Sequence, residues 1–437
     1  MIRGNLLIAT LTGVGLLSAL PAKRHPWVPA ATAFVLWAAV PFSALAGGSA
    51  VAGLHPAAFA VIGGAVVLMI TRTRVITREL AAAPLVATAC ILLAVVTTVM
   101  TAVGQQNAVG NVANMVVVPL VAFGLVRHAL RDPEAGGRFR SAILIIAAFE
   151  AVIAIGVRLG LVAQPWQTSL AARHAFYDDT FTRAFGTTDH PLVLVLIFVL
   201  ATPLLLGVPN VPLRMALGAL GLTAALLTES RSGIVLVSIA LAAVVLRTSA
   251  SIWVRLLTAL IGAGMTAAIV VSPWAATVLA KFADDGGSAG ARSLGLEWTL
   301  ANLDRFLISG AGAGASFEVT SSLPTSLESP LFMFIPDFGL LITVLYFGVA
   351  GAVLRRRQDG STRVVPGGVL AAVATLMHVV TFSSLAAYNS SAGMLWITLG
   401  LAGAIAAPGG DMDGVPTGRE AHGRAEAPLR ARAAVAA

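Results

Sequence analysis

The sequence predicts an all-α, polytopic integral membrane protein with about 12–13 transmembrane helices and one large outer-face loop that contains short helices. Hydrophobic residues fill 57% of the 437 positions and charged residues only 11%, whereas about a quarter of an ordinary soluble domain is charged. The mean hydropathy is +0.89. The apolar stretches are continuous and do not alternate with polar residues. We therefore expect a single transmembrane helical domain over residues 1–407.

Apolar runs of about the length that a helix needs to cross lipid occur roughly thirteen times. They cover residues 4–20, 28–46, 51–70, 82–103, 112–126, 141–161, 191–207, 213–228, 233–247, 253–272, 331–353, 366–386 and 392–407. The first run is short. If it does not span, the count is twelve and the amino terminus lies inside.

Basic residues in alternate loops set the predicted orientation. They follow the odd-numbered runs one to eleven: Lys23, Arg24, Arg72, Arg74, Arg78, Arg127, Arg131, Arg138, Arg140, Arg214, Arg247, Arg255, Arg355, Arg356, Arg357 and Arg363. Cytoplasmic loops carry such an excess, so we expect these loops inside and loops 162–190 and 273–330 outside. The basic tail, 408–437, is predicted to be disordered and cytoplasmic. The net charge of +8 is spread over these loops, which indicates membrane topology and anionic-lipid contact, not nucleic-acid binding.

Loop 162–190 carries an aromatic and polar sequence onto the outer end of the seventh run. Its second half reads Arg183-Ala184-Phe185-Gly186-Thr187-Thr188. Mixtures of aromatic and short polar side chains suit a sugar, and a polyprenyl diphosphate headgroup would lie at this depth. A polar interface loop without a ligand is the alternative.

The turn Leu227-Thr228-Glu229-Ser230-Arg231-Ser232-Gly233 joins two apolar runs with almost no loop. Arg231 is therefore held at the outer membrane surface by helices on both sides. A guanidinium in that position suits a phosphate of a lipid-linked substrate, because it donates paired hydrogen bonds. An ion pair with Glu229 is the alternative.

The long outer loop is expected to contain an amphipathic helix, because Leu296, Leu300, Leu303 and Leu307 recur at three and four residues. Arg292 and Trp298 lie near its start, and the run Gly310–Gly314 is expected to end it. That run lacks the Gly-Lys-Ser/Thr of a phosphate loop. It is expected either to bring backbone close to a substrate or to turn the chain, with simple flexibility as the alternative.

Glu328 stands directly before the eleventh run, at the level of the membrane interface. A partly buried carboxylate there is a candidate general base. Helix capping is the alternative, because Ser326, Glu328 and Ser329 all precede the first residues of that run.

Together these stretches resemble the O-antigen ligase and O-antigen polymerase family of bacterial envelope glycosyltransferases, over residues 110–350. The resemblance rests on four short motifs in the family's order: 183–188, 227–233, Arg292 through Trp298 to Gly314, and Glu328-Ser329 with Phe338-Gly339-Leu340-Leu341. It implies transfer of a glycan from a polyprenyl-diphosphate-linked donor to a glycan or glycolipid acceptor. The reaction would take place on the outer face of the plasma membrane, without a metal ion or other cofactor.

The resemblance also implies roles for individual residues. Arg231 and Arg292 would hold the diphosphate leaving group, Arg183 would help to orient it, and Glu328 would be the base. The remaining residues expected to contact substrate are Thr187, Trp298, Gly312, Gly314 and Ser329. Ligases of the family usually carry a His-Asn pair in place of Glu328-Ser329, so the implied activity is that of a polymerase, with a ligase as the near alternative.

Two other classes of protein remain open from the sequence. A multi-spanning transporter is supported by the number of runs and by Glu150 and His378, which lie inside the sixth and twelfth runs. Glu150 alternatively forms an interhelical hydrogen bond. A non-catalytic scaffold explains the helices but not the outer arginines. The expected partners are the donor, the acceptor and membrane lipids.

Overall fold

The computed structural model describes residues 2–41, 53–73, 83–172, 183–247, 286–321, 323, 327–355, 365–382, 385 and 389–403. Several predicted features lie outside the described residues: the run 253–272, the loop parts 173–182 and 273–285, the tail 408–437, Ser326, and the inner-loop residues Arg74, Arg78, Arg255, Arg356, Arg357 and Arg363.

The described part of the chain is helical and contains no strand. Its α-helices, in order, are α1 Ile2–Ala19, α2 Trp27–Ala39, α3 Pro56–Thr71, α4 Pro84–Gly104, α5 Val109–Val112, α6 Val118–Ala129, α7 Pro133–Arg158, α8 Gln167–Ala171, α9 Pro191–Leu204, α10 Val211–Leu227, α11 Arg231–Arg247, α12 Gly286–Ala301, α13 Ala315–Val319, α14 Pro330–Phe338, α15 Leu340–Arg355, α16 Gly368–Val379 and α17 Asn389–Ala402.

Four helical segments in this part of the chain are long and apolar enough to cross a membrane: Leu6–Lys23, Pro84–Gly104, Val109–Ala129 and Glu134–Arg158. Seven further apolar helices have 10–17 residues. The prediction of an all-helical chain with apolar helices of membrane-spanning length is therefore confirmed. The full number of spans stays a prediction.

The predicted run 331–353 is divided into two helices at Gly339. α14 ends at Phe338 and α15 begins at Leu340. Gly339 has a φ of +88°, a backbone conformation that glycine adopts without steric cost. A Cβ on Gly339 would lie 2.8 Å from the Ile308 carbonyl oxygen. The break therefore lets the outer loop pack directly on the backbone between the two helices.

The helix of the long outer loop also differs from its prediction. It was expected to run from Arg292 to the glycines, but α12 spans Gly286–Ala301 and a 3-10 turn, Leu303–Phe306, follows it. The Asn302 side chain donates to the Trp298 carbonyl oxygen at 2.8 Å, so the helix ends there and not at Gly310. Ala291 and Thr299 on one side of α12 are buried, whereas Leu296 and Leu300 are exposed, so α12 packs against the protein through one side.

Helix α9 lies at the centre of the bundle. It is apolar all round, and every residue except Leu192 is buried, as expected for a helix enclosed by others. It packs against α7, α10, α11, α16 and α17. Pro191 occupies its first turn, and the His190 ring accepts a hydrogen bond from the Leu192 backbone N–H at 3.2 Å. Residues 183–190 therefore rest on the start of the most buried helix.

A cluster of aromatic side chains joins α14, α15 and α17. Tyr346 packs edge-on against Phe334 and Trp396, with ring centroids 5.2 and 5.4 Å apart. The Trp396 indole N–H donates to the Tyr346 hydroxyl at 2.7 Å, which satisfies polar atoms that are otherwise buried among apolar groups. The cluster therefore fixes α14, which begins directly after Glu328 and Ser329.

The bundle has two chemically different ends. At one, which we call the basic end, lie Arg127, Arg214, Arg247 and Arg355, near the termini of α6, α10, α11 and α15, and Arg140, two turns into α7. At the other, which we call the motif end, α10 ends, α11 and α14 begin, and α16 ends. The four motifs of the sequence analysis meet at this second end.

Candidate functional site

Arg183 holds its loop against the end of α10. Its Nε donates to the Thr228 carbonyl oxygen at 2.9 Å, and the Ala184 N–H donates to the Leu227 carbonyl oxygen at 3.0 Å. Two of the four motifs, 183–188 and 227–233, are thus in direct contact. The contact satisfies carbonyl groups at a helix end, where no intrahelical partner is available.

Glu150, on α7, holds the same loop through hydrogen bonds to Thr187. Its side chain is fully buried. One carboxylate oxygen accepts the Thr187 N–H at 2.9 Å, and the other accepts the Thr187 hydroxyl. Gly186 has a φ of +57°, and a Cβ there would lie 2.3 Å from the carboxylate. Thr187, which was expected to contact substrate, is 7% exposed and faces Glu150 instead. Glu150 therefore shapes the loop.

Arg231 begins α11 and is half-buried at the motif end. The preceding turn is tight: Glu229 has a φ of +53°, which is uncommon for a residue other than glycine. The Thr228 hydroxyl donates to the Ala225 carbonyl oxygen at 2.6 Å. The backbone before Arg231 is therefore closely constrained.

His378, at the end of α16, connects the first turn of α11 to the central helix α9. Its Nε2 lies 3.1 Å from the Leu192 carbonyl oxygen, and its Nδ1 lies 3.4 Å from the Ser232 hydroxyl. Because a carbonyl oxygen only accepts, Nε2 carries the proton and Nδ1 accepts from Ser232. The ring is fully buried. Ser232, directly after Arg231, is thus held in place by a residue of α16, a helix that is distant in sequence.

The turn after α16 also contacts the fourth motif. The Thr381 hydroxyl lies 3.3 Å from the Ser232 hydroxyl. One residue earlier, the Val380 carbonyl oxygen accepts a hydrogen bond from the Ser329 hydroxyl at 3.2 Å. Ser329, expected at the substrate, is therefore a buried link between α14 and α16. The second and fourth motifs are joined by residues 378–381.

Arg292 and Glu328, two of the three expected catalytic residues, form an ion pair. The Arg292 Nε lies 3.5 Å from a Glu328 carboxylate oxygen, and the side chains are 46% and 34% exposed. Helix α14 begins at Pro330 with Ser329 as its cap residue, and the Ser329 side chain does not cap it. Glu328 thus pairs with Arg292 just before α14 begins, and the third and fourth motifs meet at this partly exposed ion pair.

Trp298 lies on the same helix as Arg292, six residues further along the chain. It is half-buried, and its ring packs against Phe306 with centroids 6.3 Å apart. One turn before it, Gly295 lies against Leu327, where a Cβ would come within 3.1 Å of the leucine side chain. Close packing at Gly295 therefore holds α12 against the residue that precedes Glu328.

The glycine run 310–314 is packed against protein backbone. The Ala311 and Gly312 N–H groups donate to the carbonyl oxygens of Pro336 and Asp337 at 2.9 and 2.8 Å, and the Ala313 N–H donates to the Thr101 hydroxyl at 3.1 Å. These three backbone N–H groups therefore already donate hydrogen bonds within the protein.

Gly312 and Gly314, the two glycines expected to contact substrate, differ in the space beside them. A Cβ on Gly312 would lie 3.0 Å from the Thr101 Cα, whereas Gly314 has open space beside it. Both have positive φ. Of the two, Gly314 alone has unfilled space beside it.

Asp337 was not identified from the sequence, although it is a carboxylate inside a predicted span. It is fully buried, and the Ser316 N–H donates to it at 2.7 Å. Its backbone contacts Gly310, where a Cβ would come within 2.3 Å of the Asp337 carbonyl carbon. The criterion that singled out Glu150, a charge within an apolar run, would also have found Asp337.

Contacts between the first and second, the second and fourth, and the third and fourth motifs thus bring Arg183, Arg231, Arg292 and Glu328 to the motif end. Within the residues that the structure describes, no group of three or more His, Cys, Asp or Glu side chains is arranged to bind a metal ion. A scan of protein-family models finds no match to the chain, and a search of curated proteins finds none either.

Proposed function

We propose that the chain is a membrane glycosyltransferase of the bacterial envelope, most specifically a polysaccharide polymerase. It would transfer glycan from a polyprenyl-diphosphate-linked donor to an acceptor sugar at the motif end. With the basic loops assigned to the cytoplasm, this end faces outward and the carboxyl terminus lies inside. The membrane is then the plasma membrane, which the chain crosses about 12–13 times.

The observation that carries the proposal is that three separate contacts connect all four motifs. Arg183 binds the turn before Arg231. The turn after α16 joins Ser232 to Ser329. Arg292 pairs with Glu328. Arginine side chains at this end suit an anionic ligand, because a guanidinium donates paired hydrogen bonds to a phosphate.

A diphosphate leaving group accounts for the arginines. The acceptor hydroxyl oxygen attacks the anomeric carbon, the bond from that carbon to the diphosphate oxygen breaks, and the diphosphate leaves with the electron pair. Guanidinium groups held in place before the reaction stabilise the charge that develops on it. Arg231 and Arg292 are assigned this role, and Arg183 orients the loop beside them.

Glu328 is assigned as the base that takes the proton from the acceptor hydroxyl. Its pairing with Arg292 is half-exposed and therefore weak. A diphosphate carries more negative charge than one carboxylate and competes for the same guanidinium. Donor binding would in this way release Glu328 toward the acceptor.

A transporter has less support than an enzyme. Glu150, its most favourable residue, bonds to Thr187 in the loop, and His378 bonds to Ser232 and Leu192. Each has partners that account for its burial.

The proposal is tested by the glycans of the native host, compared before and after deletion of the chain and complementation. A polymerase predicts that deletion leaves single lipid-linked repeats. Polymerised glycan that remains on the polyprenyl carrier would instead indicate a ligase. An unchanged glycan profile would contradict both.

A further inference from the structure

The end of α16 contacts the chain directly after two residues that are assigned to glycan transfer. Arg231 and Glu328 are each followed by a serine, Ser232 and Ser329. Both serine hydroxyls contact residues 378–381, which we call the α16 turn. Arg231 and Glu328 are therefore connected through one short segment of the chain.

The α16 turn is held by hydrogen bonds of its own. The N–H and the hydroxyl of Thr381 both donate to the His378 carbonyl oxygen, at 3.0 and 2.6 Å. The His378 ring is fully buried and lies 4.9 Å from the Phe382 ring, measured between centroids. Its Nε2 lies 3.1 Å from the Leu192 carbonyl oxygen. The α16 turn is therefore fixed to α9, the most buried helix.

The two helices beside the assigned residues have different principal neighbours. Helix α11, which begins with Arg231, packs against α9, α10 and α16. Helix α14, which begins directly after Glu328 and Ser329, packs against α12, α13 and α15. The hydrogen bonds of the α16 turn reach both helices, so this turn links two parts of the motif end that pack separately.

We propose that the α16 turn sets the distance between Arg231 and Glu328, with Thr381 and Ser329 as positioning residues. This inference rests on the proposed function, in which Arg231 holds the departing diphosphate and Glu328 takes the acceptor proton. The acceptor oxygen must lie between the base and the anomeric carbon, so the two groups must keep a fixed separation. Hydrogen bonds behind the reacting groups provide that precision. Thr381 and Ser329 act through neighbouring residues and not on the substrate.

Three substitutions and one control separate this role from general stability. Thr381→Val removes the hydroxyl and keeps the shape of the side chain, whereas Thr381→Ser keeps the hydroxyl. Ser329→Ala removes the hydrogen bond to the Val380 carbonyl oxygen. Thr202→Val is the matched control, because Thr202 is buried on α9 and its hydroxyl donates to the Phe198 carbonyl oxygen of the same helix at 2.8 Å.

The test measures the release of polyprenyl diphosphate in reconstituted membranes at increasing concentrations of a lipid-linked repeat unit, per amount of folded protein. Thr381→Val and Ser329→Ala should lower kcat about tenfold, the effect expected for one lost hydrogen bond, and change KM by less than about twofold. Thr381→Ser and Thr202→Val should match the wild type. A raised KM with unchanged kcat in Ser329→Ala would mean that Ser329 contacts the substrate. That result, or an equal loss of kcat in Thr202→Val, would overturn the proposal.

A double variant tests whether Thr381 acts through Ser232. Ser232→Ala should also lower kcat, and adding Thr381→Val to it should cause no further loss. A further loss of about tenfold in the double variant would show that the two residues act independently, and would overturn the proposal. A wild type that releases no polyprenyl diphosphate would contradict the proposed function and this inference with it. An active wild type with unchanged kcat in Thr381→Val and Ser329→Ala would contradict this inference alone.

Discussion

Two substitutions of Glu150 distinguish a carboxylate that supports the loop from a carboxylate that is required for transport. In Glu150→Gln, the amide oxygen still accepts the Thr187 N–H, and the amide nitrogen donates to the Thr187 hydroxyl oxygen. In Glu150→Leu both interactions are lost, while the shape of the buried side chain is roughly kept. The two variants therefore differ in hydrogen bonding to one loop residue.

The expected magnitude follows from the two contacts. Each buried donor left without a partner costs about 1–3 kcal/mol. The Thr187 hydroxyl keeps a weaker acceptor, the Ala38 carbonyl oxygen at 3.4 Å, so the loss in Glu150→Leu should be about 2–4 kcal/mol. Glu150→Gln should cost less than about 1 kcal/mol.

Thermal unfolding of the purified variants, followed by tryptophan fluorescence, measures these costs. We expect Glu150→Gln to unfold close to the wild type and to keep glycan output. Glu150→Leu should unfold earlier and lose output. If Glu150→Gln unfolds normally but abolishes function, the carboxylate itself is required, and the structural role assigned to it is wrong.

Three further predictions follow from other contacts. The double variant Arg292→Glu, Glu328→Arg exchanges the charges of the half-exposed ion pair. It should change the unfolding free energy by less than about 1 kcal/mol but abolish glycan transfer. Retained transfer would refute the roles assigned to the two residues. Gly104→Ala places a Cβ 2.0 Å from the Ala311 carbonyl oxygen in the glycine run and should lower the unfolding free energy by about 1–3 kcal/mol. Gly348→Ala, where the Cβ meets open space, should leave it unchanged. Equal unfolding temperatures of the two variants would contradict the packing of the glycine run on α4. His378→Leu removes two hydrogen bonds with a small change in volume and should cost about 1–3 kcal/mol. An unchanged unfolding temperature would argue against its bonds to Ser232 and Leu192.

The helical fold class and the polar residues of the motif end were predictable because they depend on local sequence. Continuous apolar runs specify helices, and the turn around Arg231 is too short to lie anywhere but between two helix ends. The pairing of Arg292 with Glu328 was not predicted, although both residues were singled out. Their contact depends on how α12 packs through Gly295, which the periodicity of the leucines does not reveal.

The side chains that support the site were harder to recognise. Ser232 and His378 are 146 residues apart, so no local pattern connects them. The glycine run was compatible with a ligand or with protein backbone, and only the approach of α4 and α14 distinguishes these. Thr187 was expected at the substrate because it is polar and near the outer end, but a buried Glu150 offers it a stronger partner.

The most direct test of the central claim is the release of polyprenyl diphosphate by the purified protein in reconstituted membranes supplied with a lipid-linked repeat unit. Each transfer frees one such molecule, whether the product is a polymer or a ligated glycan, and a transporter frees none. We predict release by the wild type and by Arg138→Ala, which alters only an exposed ion pair at the basic end. Release should be lost in Arg231→Ala and Arg292→Ala at equal protein levels. Unchanged release in both variants would contradict the account.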